Sequence, residues 1–566
     1  MHEVMEKKET KAQRVERLKR AKNPWECFDE VRAFARQDRS QIVPEWASTY
    51  LKWWGVISQG DGAGAVGGKD GEGLATEFYM MRIGVPNGTL SAKQLRAIGT
   101  LARKYGRNFV DISGRQAIQL RWLTLETLPE VVDTLDAIGL TPRSASGDSA
   151  ANVTGCPLAG VAADEIIDAS PLAHEIARML QGNPEFYNLP RKLKISVTGC
   201  KSWCSDPEIN DIGLTAVRNG STVGYSIRVG GGLSKEPHFG VRLDAFILPN
   251  QAVRVVRTVA EIFRDQHALR VNRKCARMKY LFLQEGWSAE SFLQELQSRL
   301  DFKLLPGVPE QYPTSTVRDH VGIHPQRQHG LSSVGATVLC GRLSAEQIEE
   351  AANLAERFSN GALRTTVQQN LLFIDVPTER ARDLALALDT IGLPVQGFSF
   401  WRGAISCTGS EFCKLALTET KGFTRWLMDK LEERLPEFDQ QLKLSVTGCP
   451  NGCAHHWIAD IGLEGKKIKH QGEMVDAYYF CLGGAVGKDA TFSRPVGYRC
   501  IAPLVPDAIV RLLQQYMAGR EPGENLHAWF SRHSDEELRT WLAGKEVEAV
   551  ERDLSSGHVP QGVTAD

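Results

Sequence analysis

The chain is 566 residues long, and its 67 lysines and arginines nearly balance 68 aspartates and glutamates, for a formal net charge of −1. This length allows several domains with their own cores, and the balanced charge argues against a nucleic-acid-binding protein. No apolar run of about 18 residues is present, and the amino terminus lacks the apolar segment of a secretory signal. We therefore expect no membrane partner and a cytoplasmic protein.

The chain opens on a basic stretch that is predicted to be helical. Eight lysines and arginines fall between Lys7 and Lys22. Such a run usually forms a solvated helix face or a disordered arm, and it also offers a surface to an acidic partner.

A glycine-rich insertion, GDGAGAVGGKDGEG, follows at Gly60–Gly73. Three of its glycines formally match the G-x-G-x-x-G fingerprint of dinucleotide-binding proteins. That fingerprint binds a pyrophosphate only where a strand leads into it and a helix leaves it. Here further glycines and charged residues follow, so we interpret the segment as a loop.

Two stretches of the chain are repeated in the same order. LSAKQLRAIGTLARKYG from Leu90 matches LSAEQIEEAANLAERFS from Leu343, and LKISVTGCKSWC from Leu193 matches LKLSVTGCPNGC from Leu442. The nearly equal offsets of the two pairs indicate a gene duplication. Amphipathic helix patterns alternate with strand-like runs in each half, which predicts an α+β fold with two pseudo-symmetric halves.

Twelve cysteines in a chain without an export signal indicate metal or redox chemistry in a reducing compartment. Four of them form two close pairs in the second half: Cys407, Cys413, Cys449 and Cys453. Four thiolates are the usual ligand set of a [4Fe–4S] cluster, and neighbouring glycines let backbone N–H groups approach the sulfur atoms. Zinc is an alternative because His455 and His456 follow the last cysteine, and buried thiols without a metal are another.

The first half repeats only the second cysteine pair, as Cys200 and Cys204. When the halves are aligned on their Thr-Gly dipeptides, Val153 and Ala159 take the places of Cys407 and Cys413. Cys156 then matches neither of those cysteines. We therefore predict that two ligands are missing and that no second cluster forms. The three cysteines are interpreted as packing thiols or remnants.

The blocks CTGSEFC and TGCPNGC, together with the duplication, resemble the nitrite and sulfite reductases that contain sirohaem and a [4Fe–4S] cluster. The resemblance extends from about Phe78 to about Gly544. It implies the six-electron reduction of sulfite or nitrite, and a bridge from the Cys453 sulfur to the sirohaem iron. No flavin or nicotinamide domain is evident in the sequence, so a separate electron donor is needed. The resemblance implies a ferredoxin in that role.

The resemblance also implies how the chain divides into domains. We expect a helical segment with the glycine insertion at 1–75 and a tail at 546–566. The first half would comprise a ferredoxin-like half-domain at 76–145 and a sirohaem and substrate domain at 146–310. The second would comprise a ferredoxin-like half-domain at 330–397 and a [4Fe–4S] and sirohaem domain at 398–545.

Further segments resemble the family's substrate and sirohaem contacts. MMRIGVPNG and LPRKLK imply a catalytic, anion-binding set of Arg82, Lys192 and Lys194. GRQAIQL and CARMKYL imply sirohaem contacts from Arg115, Gln119, Arg277 and Lys279. Even spacing within the pairs Arg115/Gln119 and Lys192/Lys194 predicts that each pair shares one strand face.

Two departures from the family pattern concern the substrate. Ala151 stands where relatives usually have arginine, and Arg121 stands where histidine is common. Lysine at 194 is typical of the sulfite enzymes and asparagine of the nitrite enzymes, so we expect sulfite as the main substrate and nitrite as the alternative. Two further hypotheses are a subunit of a dissimilatory sulfite reductase and, outside this class, a zinc-stabilised structural protein.

Overall fold

The computed structural model describes residues 9–36, 49–59, 78–313, 319–396 and 399–544. The glycine-rich insertion, with its predicted loop, lies outside these ranges. None of the described helices is both long and apolar enough to cross a bilayer.

The first half contains ten strands and eight helices. The strands are β1 (Val56–Ser58), β2 (Tyr79–Ile83), β3 (Thr89–Ser91), β4 (Phe109–Ile112), β5 (Ile118–Leu123), β6 (Thr154–Gly155), β7 (Ile195–Thr198), β8 (Ile212–Asn219), β9 (Thr222–Val229) and β10 (Val241–Arg242). The α-helices are Lys11–Ala21, Phe28–Phe34, Ala92–Tyr105, Leu128–Ala137, Ser170–Leu180, Ala252–Arg264, Tyr280–Leu283 and Ala289–Ser298. These counts refer to the described ranges.

The second half repeats this order over its described residues. Its strands are β11 (Gly322–Pro325), β12 (Leu331–Ala336), β13 (Arg342–Ser344), β14 (Ala362–Thr365), β15 (Leu371–Pro377), β16 (Ala404–Ser406), β17 (Leu444–Thr447), β18 (Ile461–His470), β19 (Glu473–Leu482) and β20 (Arg494–Ile501). Its α-helices are Ala345–Phe358, Ala381–Thr390, Ser399–Gly403, Lys421–Arg434, Val505–Gly519, Leu526–Arg532 and Asp535–Ala543.

The two repeat helices predicted from the sequence are present and begin in the same way. Ser91 and Ser344 each accept a hydrogen bond from the backbone of the glutamine three residues later, and that glutamine's side chain accepts one in return. This capping box satisfies N–H groups that the first turn of a helix leaves open. The shared start shows that both halves use the same local signal, as the duplication predicts.

The central body of the fold is built by an exchange of edge strands between the halves. One sheet has the order β1-β2-β5-β4-β13, and the other has the order β11-β12-β15-β14-β3. Leu343 of β13 lies opposite Val110 of β4, and Leu90 of β3 lies opposite Leu363 of β14. The buried side chains of both halves form a single core here, so neither ferredoxin-like half is a separate folding unit.

Each half also carries an outer five-stranded sheet with its own core. The orders are β10-β9-β8-β7-β6 and β16-β17-β18-β19-β20. The strands β6, β7 and β8 are parallel, as are β16, β17 and β18, whereas the remaining pairs are antiparallel. Parallel strands end at the same edge of a sheet, so the turns that follow them are neighbours. This confirms the duplicated α+β fold.

A buried carboxylate joins the halves at one exchanged strand. Asp111 of β4 is 1% exposed and lies 2.6 Å from Arg121 and 2.8 Å from Arg342 of β13, with Lys421 at 3.6 Å. Burial disfavours the carboxylate, but these cations outweigh that effect and hold the pKa of Asp111 well below its usual range. The network therefore stabilises the folded chain at neutral pH, and this stabilisation is lost as acid protonates the carboxylate.

We expect Asp111→Asn to lower the free energy of unfolding by about 3–5 kcal/mol, because it leaves three cations around a neutral side chain. Urea unfolding at neutral pH measures the effect. The control is Glu349→Gln, which removes an exposed ion pair between the halves, 2.6 Å from Arg103, and should cost only about 0–1 kcal/mol. Equal effects of the two substitutions would contradict this account of the interface.

Candidate functional site

The four cysteines of the second half lie at one edge of its outer sheet. Cys407 directly follows β16, and Cys449 follows the parallel neighbour β17 after a single glycine. Cys413 and Cys453 lie in the turns that come next. The Gly448 N–H group donates to the Cys407 sulfur at 3.3 Å, so the backbone already offers a hydrogen bond to a ligand sulfur.

These thiols are suited to a metal cluster by their electrostatics. Burial, together with the charge of Cys453, raises the pKa of Cys413 to about 11 and that of Cys449 to about 12. A metal centre displaces such protons and supplies the positive charge that desolvated thiolates need. Gly409, at φ 65°, is required in the turn because a Cβ atom there would lie 2.5 Å from Thr420 Oγ1.

A single zinc ion fits this donor set poorly. One tetrahedral ion with Zn–S bonds of about 2.3 Å holds its sulfur ligands about 4 Å apart. Within the described ranges, no three ligand atoms from the four cysteines, His455 and His456 lie within 4.8 Å of one another. A cube distributes its four ligand sulfurs over four irons and so tolerates the wider spacing.

Three cations of the first half face the same region as Cys453. Arg82 lies on β2, whereas Lys192 and Lys194 lie in the extended segment just before β7. Leu193 between the lysines is fully buried in the outer core, while Lys192 is exposed and Lys194 is half-buried. Alternation in an extended chain therefore puts both lysines on the face away from the core, as their spacing predicted. The region between Arg82, these two lysines and Cys453 is called the cleft below.

The charges of these groups act on one another. Desolvation, followed by Arg191 and Arg277, lowers the pKa of Lys192 to about 8, whereas Cys453 raises it. Desolvation and nearby cations also hold the pKa of Lys194 well below its ordinary value. Burial likewise lowers the pKa of Arg82, and Cys453 opposes the shift. The cleft is therefore rich in positive charge next to an exposed thiol.

The internal symmetry shows that Lys194 differs from its counterpart, Lys443. The backbone N–H groups of both residues donate to an aspartate at 2.7 Å, Asp211 and Asp460 respectively. The Lys443 ammonium lies 3.7 Å from the Asp206 carboxylate. The residue equivalent to Asp206 is His455, so Lys194 has no carboxylate partner among the described residues. Lys194 can therefore meet an anion without breaking an ion pair.

The predicted sirohaem contacts Arg115 and Gln119 do not share a strand face. β5 begins only at Ile118, and Gln116 has a left-handed backbone with φ 59°. The strand periodicity therefore does not apply to Arg115. Its guanidinium donates to Asn210 and to two backbone carbonyl oxygens at 2.8–3.1 Å, whereas Gln119 accepts from Arg121 at 2.8 Å.

The other predicted pair, Arg277 and Lys279, also separates. Arg277 forms two hydrogen bonds with Asp211, at 2.8 and 3.1 Å, beside the two cleft lysines. Lys279 is buried and donates to the backbone carbonyls of Leu233 and Glu236. Lys279 thus supports a loop instead of offering its ammonium to the cleft.

The two departures from the family pattern do not compensate for each other. Arg121 is 1% exposed, pairs with Asp111, and donates to Thr408 Oγ1 at 3.0 Å. It shares a strand face with Gln119, and its charge lowers the pKa of Arg82 but is not among the causes of the shifts at Lys192 and Lys194. Ala151 uses only its backbone here, through an N–H donated to Leu193 at 2.8 Å. The cation that relatives carry there is not replaced.

The strand register corrects the alignment of the first-half cysteines. Gly155 pairs with Val197 just as Ser406 pairs with Val446, and the two valines are equivalent in the repeat. Cys156 therefore occupies the position of Cys407. The dipeptide alignment was wrong because the matching Thr-Gly lies before the cysteine in one half and after it in the other. One cluster ligand is missing in the first half, not two.

Sequence reasoning missed His455 as a member of the cleft. It has a left-handed backbone with φ 62° in the turn after Cys453, as does its counterpart Asp206 with φ 46°. Burial and the charges of Lys194 and Lys443 hold the pKa of His455 well below its ordinary value, so the imidazole is neutral. The signal that could have identified it is its position in the repeat, because the equivalent residue of the first half is the acidic Asp206.

The cleft residues fit a cofactor that carries several carboxylates. Their cations come from separate segments of the first half: Arg82, Arg115, Lys192, Lys194 and Arg277. The Nε atom of Arg115 is buried and has no hydrogen-bond partner among the described residues. Burial lowers the pKa of this side chain to about 9, so it stays protonated at neutral pH. A sirohaem would supply the missing negative charge, and the exposed Cys453 thiol lies among these cations.

Comparison with known proteins identifies the family. The model of the nitrite and sulphite reductase 4Fe-4S domain matches residues 146–304 and 398–549. The model of the nitrite/sulfite reductase ferredoxin-like half domain matches residues 72–138 and 324–390. Together these ranges cover more than half of the chain.

Relatives named as nitrite reductases and relatives named as sulfite reductases are both similar in sequence to the chain. The assimilatory ferredoxin-dependent nitrite reductase of Haloferax mediterranei is 37% identical, over 88% of either chain. Sulfite reductase [ferredoxin] 1 of Mycolicibacterium paratuberculosis is 33% identical, over 93% of this chain and 95% of its own. The structure of the Mycobacterium tuberculosis NirA protein superimposes with a TM-score of 0.88 at 32% identity, covering 93% of this chain and 97% of that one. The chain belongs to the nitrite and sulfite reductase family, whose members are oxidoreductases that carry sirohaem and a [4Fe–4S] cluster.

Proposed function

We propose that the chain reduces sulfite to sulfide, and nitrite to ammonia as its second substrate, by six electrons. The observation that carries this proposal is the meeting of Arg82, Lys192 and Lys194 beside Cys453. Three cations from two segments of the chain converge there, and neither lysine has a carboxylate partner among the described residues. Such a cluster binds small anions and stabilises negative charge.

In this proposal the two halves supply different parts of the site. Cys407, Cys413, Cys449 and Cys453 would hold the cluster, and Cys453 would also serve the sirohaem. Arg115 and Arg277 would bind the sirohaem carboxylates, with Gln119 and Lys279 as further candidate contacts. The cofactors, when bound, would supply single electrons and an iron that binds the anion. The protein orients both groups.

Lys192 also donates protons to the substrate in this proposal. Each oxygen that leaves the substrate as water takes up two protons, so a group that releases protons near neutral pH is required. Lys192 fits because desolvation and neighbouring cations lower its pKa to about 8. Part of its side chain is exposed, so solvent can return the proton. Arg82 and Lys194 hold the anion in place, and its negative charge opposes the desolvation that lowers their pKa values.

Lys194 supports sulfite as the main substrate. Sulfite can carry two negative charges near neutral pH and nitrite one, so an extra cation without a partner in a desolvated cleft favours the more charged anion. Two observations support nitrite as the second candidate. Ala151 supplies no cation, and Arg121 is paired with Asp111.

We propose that the electron donor is a ferredoxin, as the names of the relatives above state for those proteins. Part of the basic stretch at the amino terminus is not available to it. Lys19 is fully buried, bonded to Asp148 at 3.3 Å and to the Leu189 carbonyl at 2.9 Å. The exposed Lys11 and Arg20 are better placed to meet an acidic partner. The twelve free thiols suit the reducing cytoplasm, where we propose that the enzyme acts.

The cluster assignment predicts about five irons and about four acid-labile sulfides per purified chain, from one cube and one haem. Cys453→Ser should lower the iron and sulfide content and alter the visible spectrum, because this sulfur serves both groups. Cys481→Ser, at a buried cysteine on β19, is the control and should change neither. Stoichiometric zinc without sulfide would disprove the cluster.

The role of Lys192 predicts a loss of anion affinity above pH 8. With nitrite, whose charge is constant over the range tested, KM should rise as pH passes through about 8, since deprotonation removes a cation. Lys192→Arg should move this rise to higher pH, because arginine stays charged. Lys192→Met should lose roughly a hundredfold in kcat/KM and keep the cofactor spectrum. A pH profile identical in the wild type and Lys192→Arg would exclude Lys192 as the titrating group.

The substrate preference is tested by the ratio of kcat/KM for sulfite to that for nitrite with one electron donor. We expect a ratio above one in the wild type and a decrease of about tenfold in Lys194→Asn, because the doubly charged anion loses more when a cation is removed. Lys443→Asn removes the equivalent lysine, which is paired with Asp206, and should leave the ratio unchanged. A wild-type preference for nitrite that Lys194→Asn does not alter would assign nitrite as the main substrate.

A further inference from the structure

Three buried thiols lie together in the first half, outside the cleft. The sulfur atoms of Cys156, Cys200 and Cys204 are within 4.8 Å of one another, and those of Cys200 and Cys204 are 3.4 Å apart. The residues are 1%, 4% and 1% exposed. Across the described part of the chain, no other trio of histidine, cysteine and acidic side chains converges in this way.

The place of this trio in the fold is not that of ordinary packing thiols. By strand register and repeat, its members are equivalent to Cys407, Cys449 and Cys453. The fourth position, that of Cys413, is Ala162 in the first half. The first half therefore presents three thiols at the edge of its outer sheet, from two parallel strands and the turn after them.

The spacing of the sulfur atoms differs between the two halves. In the second half no three of the cysteine sulfurs approach within 4.8 Å, whereas in the first half all three do. One ion with metal–sulfur bonds of about 2.3 Å places its ligands about 4 Å apart. The trio therefore has the dimensions of a one-ion site, and it lacks both the fourth ligand and the width of a cube.

The surroundings favour a soft cation. The thiols pack with Ala159 and Leu158 and are shut off from water. Sulfur donors in an apolar site select Zn²⁺ or Cu⁺ over hard ions such as Mg²⁺.

We propose that Cys156, Cys200 and Cys204 bind one thiophilic metal ion, Zn²⁺ or Cu⁺. The ion joins the ends of β6 and β7 to the following turn, at the position where the other half binds its cluster. Binding releases the thiol protons to solvent and leaves each sulfur coordinated to the metal. The site does not depend on the function proposed for the cleft.

Metal analysis of the holoenzyme tests the site. The purified protein is exposed to Zn²⁺ alone or to Cu⁺ alone, dialysed, and analysed for zinc, copper, iron and sulfide. We expect about one equivalent of zinc or copper per chain, beyond the cofactor iron. Cys200→Ala should lose that equivalent while iron, sulfide and the visible spectrum are unchanged. Cys27→Ala, at a cysteine that is also 1% exposed, should retain it.

Cys156→Ala is a second variant for the case that Cys200→Ala does not fold, and circular dichroism checks both. Three results would overturn the proposal: no zinc or copper retained by the wild type, a Cys200–Cys204 disulfide found by mass spectrometry in the purified protein, or loss of about four irons in Cys200→Ala, which would indicate a second cube. Failure of the cleft assignment would instead appear as normal iron content in Cys453→Ser, so the two outcomes are distinct.

Discussion

The exchange of edge strands between the halves is the constraint on which the site depends. Backbone hydrogen bonds join β13 to β4 and β3 to β14, so each half completes the sheet of the other. The cleft needs this coupling because its cations come from the first half and its cluster thiols from the second. A relative shift of one half would separate Lys194 from Cys453. The buried Asp111 network adds a charged contact at the same boundary. A buried charge without its partner is costly, so this network favours the one arrangement of the halves that pairs every charge.

Duplication supplied two equal frameworks, and single substitutions gave them different chemistry. Asp206 in one half and His455 in the other occupy the same left-handed turn position. The aspartate pairs with Lys443, whereas the neutral histidine leaves Lys194 without a carboxylate partner. In the same way, the first half has Ala162 at the position where the second half has the cluster cysteine Cys413. The backbone fixes where side chains point, and the side chains then decide whether a position holds an anion, a metal or nothing.

The sequence was sufficient for features that depend on local spacing. The repeat helices, the two cysteine pairs and the orientation of Lys192 and Lys194 all follow from patterns within a few residues. Features set by contacts between distant segments were not predictable in this way. Arg115 leaves the strand face because Gln116 adopts a left-handed backbone, and Lys279 is drawn to carbonyls of a loop more than forty residues away. Arg121 pairs with a buried aspartate on the neighbouring strand, a contact that the local pattern around Arg121 does not reveal. Cys156 could be placed only by strand register, since the local Thr-Gly match was misleading.

The two sides of the cleft lack opposite charges: the first-half side lacks anions, and the second-half side lacks cations. On the first-half side, desolvation and the repulsion between neighbouring cations lower the pKa values of Lys192 and Lys194. On the second-half side, burial raises the pKa values of the cysteines, which can ionise only beside a cation. A polycarboxylate macrocycle relieves the first deficit and an iron cluster relieves the second. Any group that binds only the folded state also stabilises that state. The arrangement is therefore unfavourable by itself and favourable with its cofactors, which is expected of residues selected for binding and catalysis over stability.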